Sequence, residues 1–149
     1  MKKQLVPLAM VLIVFALSET SCKHTTSPNS NSNAPISAAV NGQTWSPIFG
    51  GFGHSGGLLR LYGANDSTEI DLQFSYLVTD TGVYVVDDSL IGASYSLRQK
   101  DYTAVPRSGI LHLTTYTSSR AAGTFNFTAK ASANDSVVVT NGKFNFAIQ

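Results

Sequence analysis

A serine flanked by glycines is the first feature of this chain that could carry chemistry. Gly53-His54-Ser55-Gly56-Gly57 matches the Gly-x-Ser-x-Gly pattern of a nucleophilic serine. Asp87 or Asp88 and then His112 follow in the chain order of a hydrolase triad. Such a serine must lie on a sharp turn from a strand into a helix. Residues 58–62 (LLRLY) are strand-like instead, so the sequence favours a mobile, glycine-rich surface loop and predicts no catalytic residue.

Cofactor and metal patterns fail for related reasons. Gly51, Gly53 and Gly56 have the spacing of a dinucleotide-binding turn, but that turn also requires a helix directly after it. Asp80 and the Asp87-Asp88 pair lack the alternating oxygen ligands of a calcium loop, and the three histidines are far apart in the chain. We therefore expect no cofactor, no metal and a solvated acidic surface at these aspartates.

Aromatic side chains offer a different chemistry, because their faces stack on apolar ligand surfaces such as those of sugars. Most of the tyrosines and phenylalanines are expected in the core, where sheet proteins use them as cross-strand pairs. Trp45 and Tyr102 are expected near an accessible edge, Tyr102 because it lies in the turn-like residues 100–107. With His54 in the glycine-rich loop, they are the predicted ligand-binding residues.

The elements that must position these residues are strands. Ile70, Leu72 and Phe74 alternate with Asp71 and Gln73, which predicts a half-buried strand with one wet face. Similar alternation recurs at residues 58–62, 110–114, 123–128 and 144–148. No stretch of the domain shows a convincing helical period with caps.

Turn signals between these runs complete the fold prediction. Asn41-Gly42 suits a tight primed turn, because both positions tolerate positive φ. Asn141-Gly142 is interpreted in the same way, as the turn of a closing hairpin between residues 137–140 and 143–148. The fold class predicted is all-β, a single antiparallel β-sandwich or barrel-like domain of about eight to ten strands.

The start of the chain carries a targeting signal. Lys2 and Lys3 precede an apolar run at residues 5–17, which is too short to span a bilayer and is typical of a signal peptide. Cys22, the only cysteine, follows directly after residues 18–21. This spacing resembles a bacterial lipoprotein signal, in which the cysteine thiol is acylated. An ordinary secretory signal with a chance cysteine is the alternative.

The remaining chain divides at residue 35. Residues 22–35 are mostly Ser, Asn, Thr and Pro, which predicts a flexible tether, and residues 36–149 form the domain. The leader, residues 1–21, contains two lysines and one glutamate, so acidic and basic side chains balance in the mature chain. This balance argues against a nucleic-acid partner, which requires clustered basic excess.

Four segments resemble a lipoprotein family of unknown function that is common in Bacteroidota. They are Val40-Asn41-Gly42-Gln43-Thr44-Trp45, Gly92-Ala93-Ser94-Tyr95-Ser96-Leu97, Gly123-Thr124-Phe125-Asn126-Phe127-Thr128-Ala129 and Val137-Val138-Val139-Thr140-Asn141-Gly142-Lys143-Phe144. The resemblance covers roughly residues 36–149. It implies a lipid-anchored β-domain and supplies no catalytic residues.

Together these observations predict an outer-membrane lipoprotein, anchored through Cys22 and facing the periplasm or the cell surface. The function expected is non-enzymatic binding of a glycan, a peptide or an envelope protein. A structural or assembly protein without a small ligand is the second possibility, and a small hydrolase using Ser55 is the third.

Overall fold

The computed structural model describes residues 34–86 and 89–148, so Cys22, the leader, most of the tether and the Asp87-Asp88 pair lie outside the described residues. The described chain is all-β and antiparallel, which confirms the predicted fold class. It has eleven strands, more than the eight to ten predicted. They are β1 (Ile36–Val40), β2 (Gln43–Trp45), β3 (Phe49–Ser55), β4 (Leu58–Ala64), β5 (Thr68–Ser75), β6 (Gly82–Val85), β7 (Ile91–Leu97), β8 (Lys100–Ala104), β9 (Ile110–Thr117), β10 (Arg120–Ser132) and β11 (Asp135–Ala147).

One sheet contains all eleven strands, and nine of them follow the order β2-β1-β11-β10-β8-β7-β5-β4-β3, with β9 and β6 on a side branch. The sheet branches at β10, which has 13 residues. Its first half, up to Asn126, pairs with β9, and β9 in turn pairs with β6. Its second half pairs with β8 through Ala129 and Lys130. β10 therefore belongs to both arms of the sheet.

The sheet curls into a half-barrel that brings its first strand against β4. Ile36 at the start of β1 is fully buried, and its Cγ2 lies 2.2 Å from the position that a Cβ on Gly63 would occupy. Just before β3, the Ile48 amide donates a hydrogen bond of 2.8 Å to the Ala64 carbonyl. The absence of a side chain at Gly63 thus allows the two ends of the sheet to approach each other.

The concave face of the curl holds a single apolar core. Inward side chains alternate with polar ones along the strands, as the period of two in the sequence predicts. The largest side chains that are fully buried are Phe74, Phe127, Ile36, Leu61, Ile70, Leu72, Ile91, Leu111 and Leu113.

Two cross-strand pairs of a glycine with a phenylalanine join β10 to β11 inside this core. Gly123 pairs with Phe144, and Phe125 pairs with Gly142. A Cβ on Gly142 would lie 2.6 Å from the Phe125 ring, and one on Gly123 would lie 2.9 Å from the Phe144 ring. Each ring therefore occupies the space above a glycine on the opposite strand, and the two rings meet with centroids 6.3 Å apart.

The predicted closing hairpin at Asn141-Gly142 is wrong. Asn141 has φ of 52° but lies inside the continuous strand β11. The pairing of β11 with β10 shifts by one residue at this point, which is a β-bulge. The hairpin turn lies earlier, between Ser132 and Asp135. Asn-Gly serves both roles, because a primed turn requires positive φ at both positions and this bulge requires it at Asn141.

The glycine-rich segment is also not a loop. It forms β3, which pairs along its whole length with β4, and Gly56-Gly57 forms the two-residue turn between them. Their φ angles of 58° and 80° are those of a primed hairpin turn. The predicted primed turn at Asn41-Gly42 is confirmed, with φ of 49° and 79° between β1 and β2.

The close approach of Ile36 to Gly63 gives a test of the curl. We expect Gly63→Ala to lower the free energy of unfolding by about 1–3 kcal/mol, because the added methyl group overlaps a buried side chain. Gly53→Ala is the matched control in β3, where nothing lies within 4 Å of the added Cβ. Urea denaturation of both variants measures the difference, and equal stability would contradict the packing described.

Candidate functional site

The three predicted ligand-binding residues lie at opposite ends of the half-barrel. Trp45 and Tyr102 are 6% and 5% exposed, so the expected accessible edge is wrong for both. Residues 100–104, expected to be turn-like, form the strand β8, and Tyr102 lies on its inner face. Tyr102 contacts Tyr95 with ring centroids 5.9 Å apart. The aromatic surfaces of Trp45 and Tyr102 therefore pack in the core.

Thr68 links these aromatic residues into one cluster. Trp45 Nε1 donates a hydrogen bond of 2.7 Å to Thr68 Oγ1, which itself donates to Asn65 Oδ1 at 2.8 Å. Burial raises the pKa of Tyr95, the Tyr102 phenol raises it further, and a hydrogen bond to Thr68 partly offsets both. Trp45, Tyr95 and Tyr102 are all buried, so the cluster fills this end of the core.

An ion pair covers the same end from outside. Lys100 on β8 pairs with Asp135 at the start of β11, and the Lys100 ammonium lies 5.4 Å from the centre of the Tyr102 ring. The hydrogen bond from Lys100 holds the pKa of Asp135 below its usual range, and a hydrogen bond with Tyr102 acts in the same direction. Tyr102 is thus held between the core and this ion pair.

His54 lies at the opposite end, which is open. There a depression of about 410 Å³ is lined by His54, Leu59, Thr79, Tyr116, Thr117 and Ile148, and we call it the mouth pocket. Its floor is apolar, since Leu59 and Ile148 are buried. His54 is exposed at the rim of this pocket. Its imidazole and the Phe52 ring are nearly perpendicular, with centroids 6.4 Å apart. Mouths of β-barrels are common ligand sites, and an apolar floor with a few polar groups is their usual lining.

Tyr116 forms the aromatic wall of the mouth pocket. Its ring stacks on Phe74 with centroids 6.4 Å apart and an interplanar angle of 13°, so the core fixes its orientation. Burial raises the pKa of Tyr116, and the neighbouring Tyr84 phenol adds to the increase. The phenol is therefore a neutral hydrogen-bonding group at neutral pH. Sequence patterns did not single out this residue, because its ring orientation depends on a partner 42 positions away.

The geometry required of a serine nucleophile is absent from the segment that matches it. Ser55 ends β3 and pairs with Leu58, so the backbone turns from a strand into a strand. His112 lies on β9 opposite Thr124, exposed on the outer face. Within residues 34–86 and 89–148, no three His, Cys, Asp or Glu side chains are grouped as metal ligands would be.

A buried carboxylate on the outer face was not anticipated by the sequence pattern. Asp71 lies on the polar side of β5, as predicted, yet it is only 5% exposed. Arg60 covers it, with Nε 2.5 Å from Asp71 Oδ2 and with the guanidinium 5.1 Å from the centre of the Tyr62 ring. Among the residues that the structure describes, Asp71 Oδ1 has no hydrogen-bond partner. Long polar neighbours can bury a residue on the outer face, which the period of two does not reveal.

Comparison with known families identifies the family of this chain. A model described as a domain of unknown function (DUF6252) matches residues 32–146, which include all the strands except the last residue of β11. The chain belongs to this family. No curated protein and no solved structure matches the chain significantly. Within the described part of the chain, no helix has the length and apolar character needed to cross a bilayer.

The raised pKa of Tyr116 predicts how stability depends on alkaline pH. The folded state holds the pKa of Tyr116 above its unfolded value of about 10. The contribution of neutral Tyr116 to the free energy of unfolding is therefore fully present below about pH 10 and is lost as the pH rises through the folded pKa. We expect the free energy of unfolding to fall as the pH rises above about 10. The decline should be shallower in Tyr116→Phe, and some should remain because Tyr95 shifts in the same direction. Parallel profiles for the two proteins would contradict this assignment.

Proposed function

We propose that this chain is a lipid-anchored cell-envelope protein of the Bacteroidota type whose β-domain is a non-catalytic module that binds a glycan in the mouth pocket. The observation that carries this proposal is the pocket lining. It combines an aromatic wall, Tyr116, with the exposed imidazole of His54 and the hydroxyl of Thr117 over an apolar floor.

These groups match the surface of a sugar ring. One face of a sugar is apolar and stacks on an aromatic ring, while its hydroxyls accept and donate hydrogen bonds at the edge. Tyr116 supplies the ring, and its position is fixed by Phe74 before any ligand arrives. A preorganised wall lowers the entropy lost on binding. The pocket volume of about 410 Å³ suits one or two sugar rings, so the pocket would hold the end of a glycan chain.

The anchor is supported by the order of segments in the sequence. The positive start, the short apolar run and Cys22 precede a polar segment, and the first strand begins at Ile36. A cysteine acylated at that position anchors the domain durably, because each buried methylene contributes about 0.8 kcal/mol. The domain is then held near the membrane, with its mouth pocket available to envelope or extracellular glycans.

Replacement of His54 tests the binding site. We expect His54→Ala to weaken glycan binding roughly three- to tenfold, the loss of one hydrogen bond, with an unchanged melting temperature because His54 is exposed. Titration calorimetry against oligosaccharides selected on a glycan array measures this change.

His112→Ala is the matched control, since His112 is also an exposed histidine but lies on the outer face. It should bind like the unmodified protein. Binding of peptides but no glycans, or equal binding by both variants, would refute glycan recognition at the mouth pocket.

Replacement of Cys22 tests the anchor. Cys22→Ala should move the protein from the membrane to the soluble fraction, because no acyl chain can be attached. Protease treatment of intact cells then reports orientation: digestion indicates surface display, and protection until lysis indicates a periplasmic domain. A Cys22→Ala protein that fractionates with the membrane as before would rule out the lipoprotein assignment.

A further inference from the structure

We propose that the outer face of β9, β10 and β11 docks on the anionic phospholipid surface to which the chain is anchored. This inference rests on the proposed lipid anchor. The docking face is defined by Val85, Arg107, Ile110, His112, Arg120 and Lys143, and it lies on the side of the sheet opposite the core. Its partner is identified by charge, by exposed apolar surface and by the place where the chain enters the domain.

The centre of the docking face is cationic. His112, Thr124 and Lys143 lie side by side on β9, β10 and β11, because Thr124 pairs with both of the others. Arg120 lies four residues before Thr124 on the same face of β10. Neither Arg120 nor Lys143 forms an ion pair with a residue in the described part of the chain.

Carboxylates are segregated from this face. The described strands carry four, on β5, β8 and the first residue of β11: Glu69, Asp71, Asp101 and Asp135. Glu69 and Asp71 pair with Arg60, and Asp135 pairs with Lys100. β9 and β10 carry no carboxylate, so their face has an unneutralised positive field although the mature chain is nearly neutral. Such a field attracts anionic lipid headgroups.

Apolar side chains border the cationic centre. Val85 and Ile110 pair across β6 and β9 and are 47% and 48% exposed. With Arg107 they line a depression of about 540 Å³. Because Asp80 and the Asp87-Asp88 pair flank β6 in the sequence, we assign the contact to β9, β10 and β11 and place β6 at its rim.

The chain enters the domain on this same face. Ala34, Pro35 and Ser37 line one depression of about 440 Å³ together with Lys143 and Asn145. The Asn145 amide donates a hydrogen bond of 2.7 Å to the Pro35 carbonyl, which fixes the point of entry. The segment from Cys22 to Ala34 can extend at most about 3.5 Å per residue, or about 40 Å in all. An acylated Cys22 therefore holds this face within reach of the membrane.

Because the domain is anchored, a small number of basic side chains is enough for docking. Three or four basic side chains bind an anionic surface weakly when the protein is free in solution. A tether turns that encounter into an intramolecular one, with a high effective concentration. We therefore expect docking to orient the anchored domain rather than to recruit free protein.

The test uses the mature chain, from Cys22 onward, coupled through its single thiol to maleimide-bearing lipid in vesicles. One set of vesicles is phosphatidylcholine, and the other also contains phosphatidylglycerol. Lysine acetylation is read by mass spectrometry at Lys143, in the docking face, and at Lys100 on β8, where it pairs with Asp135. We expect the ratio of labelling at Lys143 to that at Lys100 to be about threefold lower or more on anionic than on neutral vesicles at low salt, and to be the same on both in high salt.

Matched arginine variants assign the effect to this face. Arg120→Gln should reduce the protection of Lys143, whereas Arg98→Gln, at the turn between β7 and β8, should leave it unchanged. An unchanged labelling ratio on anionic vesicles, or equal protection on neutral ones, overturns the proposal. Chemical coupling supplies the anchor here, so this result is independent of whether cells acylate Cys22, which the fractionation experiment decides.

Discussion

The contact between phenylalanine rings and glycines on β10 and β11 supports the whole sheet. Phe125 and Phe144 cover Gly142 and Gly123, so both rings fit into a hairpin whose strands approach each other closely. β11 then offers its other edge to β1, and β10 offers its other edge to two arms of the sheet. A side chain at either glycine would displace a ring at the centre of the core. The curl, the mouth pocket and the outer face all depend on this arrangement.

The all-β class was predictable because it depends on local alternation, whereas the pairing of strands was not. Asn41-Gly42 and Asn141-Gly142 are the same dipeptide, yet one is a hairpin turn and the other a bulge. The difference arises because β11 continues to pair with β10 on both sides of Asn141. The glycine-rich segment is a strand because of its pairing with β4, which the local sequence does not reveal. The Tyr62 ring of β4 lies over Gly51, where a Cβ would be 2.9 Å from the Tyr62 hydroxyl.

The candidate site was predictable only in part. His54 is at the mouth pocket, but its partner Tyr116 comes from β9, and no sequence spacing relates the two. Trp45 and Tyr102 are aromatic residues of the kind that bind ligands, and their burial follows from the neighbours Thr68 and Tyr95. Asp71 shows the converse case, a charged residue buried by Arg60 on the polar face. Each of these outcomes is decided by contacts across strands.

The pairing of the first strand with the last has a consequence for when the protein can fold. β1 lies between β2 and β11, and the Asn41 side chain accepts a hydrogen bond of 2.9 Å from the Val138 amide, 97 residues later. Contacts so distant in sequence form slowly, and they cannot form before the final strand has left the ribosome. The nascent chain therefore remains without its complete sheet throughout synthesis.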